Sequence, residues 1–225
     1  MPVLAAILVA SIGALPLSAQ QAGMQEKLAQ IRASIAKNNA QLAQYTWQMQ
    51  QSIAVNGDVK DTSVYQVQIV NGQQQKTMLS APPTPSGREH GIKHRMEDRF
   101  KDYAQSVGAL AQSYAQIDPA KLKQLYASGN VALKSGGAPG YSSIVISNYN
   151  KQGDSITLLL ADATKALVRV NVASYLNDPS DVVTMQVTYA QLPDGTRYAQ
   201  TTTVNGQSKG LVITQQNVDY QKVMH

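Results

Sequence analysis

Two histidines stand four residues apart in the stretch Glu89-His90-Gly91-Ile92-Lys93-His94, with Glu97 close behind. On a helix that spacing turns both imidazoles to one face, where they could hold a divalent cation. The same stretch carries Arg88, Lys93, Arg95, Arg99 and Lys101, whose charge repels a cation, and Gly91 weakens the helix that would set the geometry. The expectation is a solvated basic helix start with no metal site. Gly136-Gly137-Ala138-Pro139-Gly140 is rich in glycine, but its proline and the strand pattern after it make it a hairpin or lid loop rather than a phosphate cradle. Neither the zinc-protease pattern nor the Gly-x-Ser-x-Gly elbow occurs. The chain has 0 Cys and 3 His, which removes thiol nucleophiles, Cys-zinc sites, disulfides and acylation of a cysteine after export. Composition and motifs together predict a protein that is not an enzyme, with no catalytic residue and no cofactor.

The remaining candidates are apolar. Tyr45, Trp47, Met49 and Ile53 fall in one phase of a period-two pattern, as do Tyr65, Val67 and Ile69, while Phe100, Tyr103, Val107 and Tyr114 recur at helical spacing. The strand set is expected to oppose the helix set, with Met185 and Tyr189 on the same sheet face. Such an array is either a filled core or the lining of a cavity for an apolar ligand, and periodicity is the same for both. The 11 tyrosines against 1 phenylalanine suit a pocket with a wet mouth as well as a half-exposed sheet, because the ring is apolar and its tip polar.

These residues need elements to position them. Met24, Leu28, Ile31, Ile35 and Leu42 mark an amphipathic helix, after which alternation from Tyr45 to Val55 marks a strand. Asn56-Gly57-Asp58 and Asn71-Gly72 are hairpin turns on either side of a second strand over Val64 to Val70, and a third ends near Ser80. Prolines 82, 83 and 85 deny both helix and ladder bonding, so Ala81 to Gly91 is read as a loop. A helix from Ile92 to Tyr114 follows, then another opened by Asp118-Pro119 and stopped at Gly129. Seven further strands run to Val218, separated by Gly153-Asp154, Asp178-Pro179-Ser180-Asp181, Pro193-Asp194-Gly195 and Asn205-Gly206. Thr184, Gln186 and Thr188 alternate with Val183, Met185, Val187 and Tyr189, so the sheet keeps one face in water and must cover the other. The predicted fold is α+β: a single curved antiparallel β-sheet of about ten strands, a half-barrel, covered by three helices.

Val3 to Leu17 is an apolar run ending in Leu17-Ser18-Ala19, which reads as a signal peptide over residues 1–19. Residues 20–225 are then one domain, expected to be periplasmic and soluble after cleavage. The net charge of +5 arises from 19 basic and 14 acidic residues spread along the chain, so no nucleic acid is expected as a partner.

The order of elements, the pattern Tyr45-Thr46-Trp47 in the first strand, and the closing stretches Tyr175-Leu176-Asn177-Asp178-Pro179, Leu192-Pro193-Asp194-Gly195-Thr196 and Leu211-Val212-Ile213 carry a likeness. Together they make the chain resemble the LolA/LolB-like periplasmic lipoprotein-carrier superfamily. The resemblance implies an unclosed half-barrel lidded by helices that holds acyl chains of lipids or lipoproteins, a monomer that exchanges cargo with a membrane-bound donor or acceptor protein. The third strand, Gln73-Gln74-Gln75-Lys76-Thr77-Met78-Leu79, departs from the basic-proline-aromatic segment those carriers tend to show. A protein-interaction module of envelope stress or assembly, using a strand edge and no lipid, is the alternative reading.

Overall fold

The structure is a computed structural model that describes residues 36–80, 92–115, 117–164 and 166–223, with the backbone alone over 92–99. The signal-peptide reading, the helix before residue 36, the loop Ala81 to Gly91 and the side chains of His90 and His94 lie outside the described residues.

Helix α1 is described over residues 36–42 and leads directly into β1 (Tyr45–Val55). β2 (Asp58–Val70) and β3 (Gln73–Ser80) follow as hairpins. The turns between them are Asn56-Gly57 and Asn71-Gly72, with φ of 51° and 89° in the first and 53° and 77° in the second. Two successive left-handed residues match the twist of the flanking strands, which is why asparagine followed by glycine marks a hairpin. β2 starts six residues earlier than the alternation predicts, because Asp58 to Ser63 pair with β1 although most of them are polar or exposed.

Helix α2 (Ile92–Gln112) and helix α3 (Pro119–Ala127) come next. Asp118 caps α3 by accepting from the Ala120 N–H at 2.8 Å, Pro119 opens it and Gly129 follows at φ 76°, as its sequence signals predict. Helix α2 stops before Tyr114, which sits in the turn beyond it. The rest is a meander: β4 (Val131–Ser135), β5 (Tyr141–Ser147), β6 (Ser155–Ala161), β7 (Ala166–Tyr175), β8 (Val182–Gln191), β9 (Arg197–Gly206) and β10 (Leu211–Lys222). The glycine-rich stretch at 136–140 is the β4–β5 hairpin connection. Asn205-Gly206 is not the turn it resembles in sequence. Both residues remain in β9, and Gln207–Lys209 with left-handed Gly210 makes the connection.

All ten strands form one open, curved antiparallel sheet in the order β3-β2-β1-β10-β9-β8-β7-β6-β5-β4. The α+β half-barrel predicted above is therefore the observed architecture. The meander is interrupted at one place, where β10 returns to pair with β1 from Tyr45↔Lys222 to Val55↔Leu211. Alternation gives the sheet two unlike faces. The inner face buries Ile146, Ile156, Val172, Val183, Met185, Val204 and Leu211 together with Val107 of α2. The outer face of the same strands carries Thr157, Asn171, Thr184, Gln186, Thr188 and Asn205 in cross-strand rows.

Candidate functional site

The inner face carries the sequence-predicted site residues, but in two groups. Phe100, Tyr103, Val107 and Tyr114 pack with Met185, Tyr189 and Ile53 in the larger apolar cluster, over β5 to β10. Trp47, Met49 and Val67 form a second cluster, flanked by Tyr65, Ile69 and Tyr220. The helix residues thus face the later strands, not the aromatic strand residues they were expected to oppose. Ile53 is the one member of the early strands to join them. The division has a visible cause in the register: Gln51 lies between Met49 and Ile53 on β1, opposite Gln215 of β10, and the two carboxamides bond to one another at 2.9 Å.

In the larger cluster α2 is anchored by its tyrosines. The Tyr103 ring lies directly on Gly206, where a Cβ would meet its hydroxyl at 2.7 Å, so β9 needs glycine there to let the helix approach. The Tyr103 hydroxyl donates to Asp181 at 3.0 Å, and Ser208 bridges the same two groups at 2.9 and 2.6 Å. Tyr114, beyond the helix end, donates to the buried Asp154 at 2.5 Å and lies 2.9 Å from the Ser174 hydroxyl. Asp154 also collects the backbone N–H groups of Tyr149, Asn150 and Lys151, at 2.5, 2.8 and 3.0 Å. Burial first, and then the hydrogen bond to Asp154, push the Tyr114 hydroxyl up to about 12. It stays a neutral donor at any ordinary pH.

The second cluster is organised by a bulge. Asp219 and Tyr220 together oppose Trp47, and Asp219 takes φ 56°, which turns the Tyr220 ring onto the indole at 5.2 Å and 14°. Tyr198 meets Tyr220 at 4.3 Å and Tyr45 meets it edge-on at 6.3 Å. The indole N–H donates to Asn217 at 3.0 Å. Burial, and next the neighbouring Tyr198, raise the Tyr220 hydroxyl above the usual phenol range. Neither Tyr198 nor Tyr220 was among the residues singled out from the sequence. Simple alternation from Val218 puts Tyr220 on the outer face, and only the bulge brings it inward.

Tyr45 closes this end through a 2.7 Å bond to Asp194 in the β8–β9 turn. The Thr196 backbone N–H first, and the Tyr45 hydroxyl second, hold Asp194 down at about 2. A carboxylate with a depressed native pKa stabilises the fold above its ordinary value of 3.8 and loses that contribution as the pH falls towards 2. The urea midpoint of the wild type is therefore expected to fall across that window, and Asp194→Asn is expected to flatten this part of the curve. An unchanged slope in the variant would count against the assignment.

On the opposite, outer face a shallow groove of about 260 Å³ is lined by Ser155, Thr157, Asn171, Ala173, Thr184, Gln186 and Asn205, with Val172 and Met185 between them. Six of its nine lining side chains are hydroxyls or carboxamides. Among the described residues there is no group of three or more His, Asp or Glu that could hold a metal ion. No helix among them is long and apolar enough to cross a membrane.

No protein-family model matches the chain, and no curated protein matches it. Solved structures do. A Vibrio parahaemolyticus domain considered an outer membrane lipoprotein-sorting protein is similar at 10% identity and TM-score 0.40, over 84% of this chain and 91% of that one. A DUF1329 family protein from Desulfovibrio piger is similar at 10% identity and TM-score 0.41, over 84% and 90%. A LolA superfamily protein from Nitrosomonas europaea is similar at 9% identity and TM-score 0.38, over 86% and 94%.

Proposed function

We propose that the protein is a periplasmic, non-enzymatic carrier that holds acyl chains of a lipid or lipoprotein against the inner face of its sheet. The observation that supports this reading most directly is the second apolar cluster, Trp47, Met49 and Val67 with Tyr65 and Ile69, which lies on the inner face of β1 and β2, apart from the cluster that packs against α2. Beside it the open edge strand β3 presents Met78, opposite Tyr65 and 50% exposed, together with Lys76 and Gln74 opposite Val67 and Ile69. An apolar face ending at an open edge gives a chain a way in and out. Burial contributes about 0.8 kcal/mol per methylene, so a chain of about twelve carbons offers on the order of 9 kcal/mol before ordering costs. Residues 1–19 act as the export signal in this reading, and residues 20–225 form the binding domain, which works as a monomer and passes its cargo to a membrane-bound partner.

Native mass spectrometry of the mature protein, purified from the envelope of its own cell and followed by organic extraction, tests both parts. The expected result is a chain beginning at Gln20 that carries a stoichiometric acyl-bearing adduct. A clean mass of the protein alone, with no uptake of offered acyl chains, would overturn the carrier reading. A second reading rests on β3, an edge strand whose eight residues are all exposed and free to pair with an incoming strand of a protein partner. It predicts binding that survives complete delipidation.

A further inference from the structure

Arg169 of β7 stands on the outer face between Leu159 of β6 and Thr188 of β8, and Thr188 pairs onward with Thr201 of β9. The next row of the same face is Thr157, Asn171, Gln186 and Thr203, and the row after that Ser155, Ala173, Thr184 and Asn205. Across these three rows, over β6 to β9, Arg169 carries the only charge. Asp162, three residues past Leu159 in the turn to β7, makes no ion pair with it. Among the described residues the guanidinium makes no hydrogen bond either, and its Nε–H is sealed from water with nothing to accept it.

An orphaned donor on a cation weakens the fold. A residue that only completed this face would be a threonine, as at the neighbouring Thr188 and Thr201. Arginine kept here at a cost to stability points to a use outside folding. That use is placed by the shallow groove of about 260 Å³ beside it. Asn171 of its lining is the next outward residue along β7, about 6.6 Å from Arg169 at the rise of a strand. Among the described residues the lining side chains of Ser155, Thr157, Asn171 and Gln186 make no hydrogen bond, while Asn205 donates to the Thr184 hydroxyl at 3.3 Å. The groove thus offers hydroxyls and carboxamides, which both donate and accept, with a guanidinium fork at one end.

We propose that this outer groove binds a polyhydroxylated molecule bearing one carboxylate or phosphate, an acidic or phosphorylated sugar. The oxyanion pairs with Arg169 and the hydroxyls bond along Asn171, Gln186 and Thr157. A hydroxyl of the ligand is both donor and acceptor, as the lining side chains are, and an oxyanion is the counter-charge that the guanidinium lacks. A nucleic acid does not fit, because one cation in three rows cannot neutralise a run of phosphates. The site is independent of the inner-face carrier reading, since the sheet itself lies between the two faces.

Calorimetric titration of the purified protein with glucuronate, glucose 6-phosphate, glucose and inorganic phosphate tests the site. At least one of the two charged sugars is expected to bind about tenfold more tightly than glucose or phosphate, the worth of one charge-assisted hydrogen bond, and the tighter of the two tells carboxylate from phosphate. Arg169→Met keeps the apolar stem and removes the donors. It is expected to bind the charged sugars no better than glucose, while its urea midpoint stays at or above that of the wild type because the orphaned donor is gone. Gln186→Ala, which trims an exposed side chain of the groove, is expected to weaken both charged sugars and leave inorganic phosphate unchanged. No saturable binding of either charged sugar to the folded wild type, or equal binding to Arg169→Met, would overturn the site. A lowered urea midpoint in Arg169→Met would assign the arginine to the fold and overturn it as well. Inorganic phosphate binding as tightly as glucose 6-phosphate would leave a bare anion contact and overturn the sugar assignment.

Discussion

Asp154→Ala is expected to destabilise the protein by about 3–5 kcal/mol, the cost of stripping a buried ionic acceptor from its donors. Asp154 is 2% exposed and serves four donors at once. Three are the consecutive N–H groups of residues 149 to 151, which shape the β5–β6 connection, and the fourth is the Tyr114 hydroxyl just beyond α2. The carboxylate therefore joins a local turn to the helical layer, and its removal takes the acceptor from the buried Tyr149 N–H, loosens the Asn150 and Lys151 N–H groups and leaves the Tyr114 hydroxyl with Ser174 alone. Urea unfolding with an unchanged slope and a lowered midpoint is the expected record. Asp154→Asn is expected to recover little, because its amide would set a donor against donors. A variant within about 1 kcal/mol of the wild type would show that the turn holds without the carboxylate.

Trp47→Ala is expected to cost about 3–5 kcal/mol, the usual range for emptying the space of a buried aromatic. Trp47 is 2% exposed, stacks on Tyr220 and gives its N–H to Asn217. Because its cluster is separate from the one around Ile146, the cost is expected to add to that of Ile146→Ala within about 0.5 kcal/mol. A larger coupling between the two would mean that the clusters act as one core in solution and that the Gln51–Gln215 pair does not divide them. In the carrier reading, Trp47→Ala also lowers affinity for acyl probes, whereas Ile146→Ala, beneath the helix-covered half, lowers it less.

The residue arrays named from the sequence are all on the inner face, but their grouping is a tertiary matter. Tyr45, Trp47, Met49, Tyr65, Val67 and Ile69 are in phase along two strands, and that phase is legible because a strand repeats every two residues. Phe100, Tyr103, Val107 and Tyr114 share a stripe for the same local reason. Which stripe meets which strand depends on where α2 lands on the sheet, and Gly206 under Tyr103 is one of the contacts that places it. Nothing in the spacing of either set encodes that contact.

Turn chemistry and periodicity are local, so the hairpins at Asn56-Gly57 and Asn71-Gly72, the Asp118 cap, the two-faced strands and the helices set between the third strand and the rest are all legible in the residues alone. From these the α+β half-barrel follows. The pairing of β10 with β1, the bulge at Asp219 that brings Tyr220 onto Trp47, and the meeting of Gln51 and Gln215 across that ladder come from long-range packing. Each joins residues more than 150 positions apart or depends on a register that one extra residue shifts, and such pairings are selected by the packing of the whole sheet rather than by any segment's own preference.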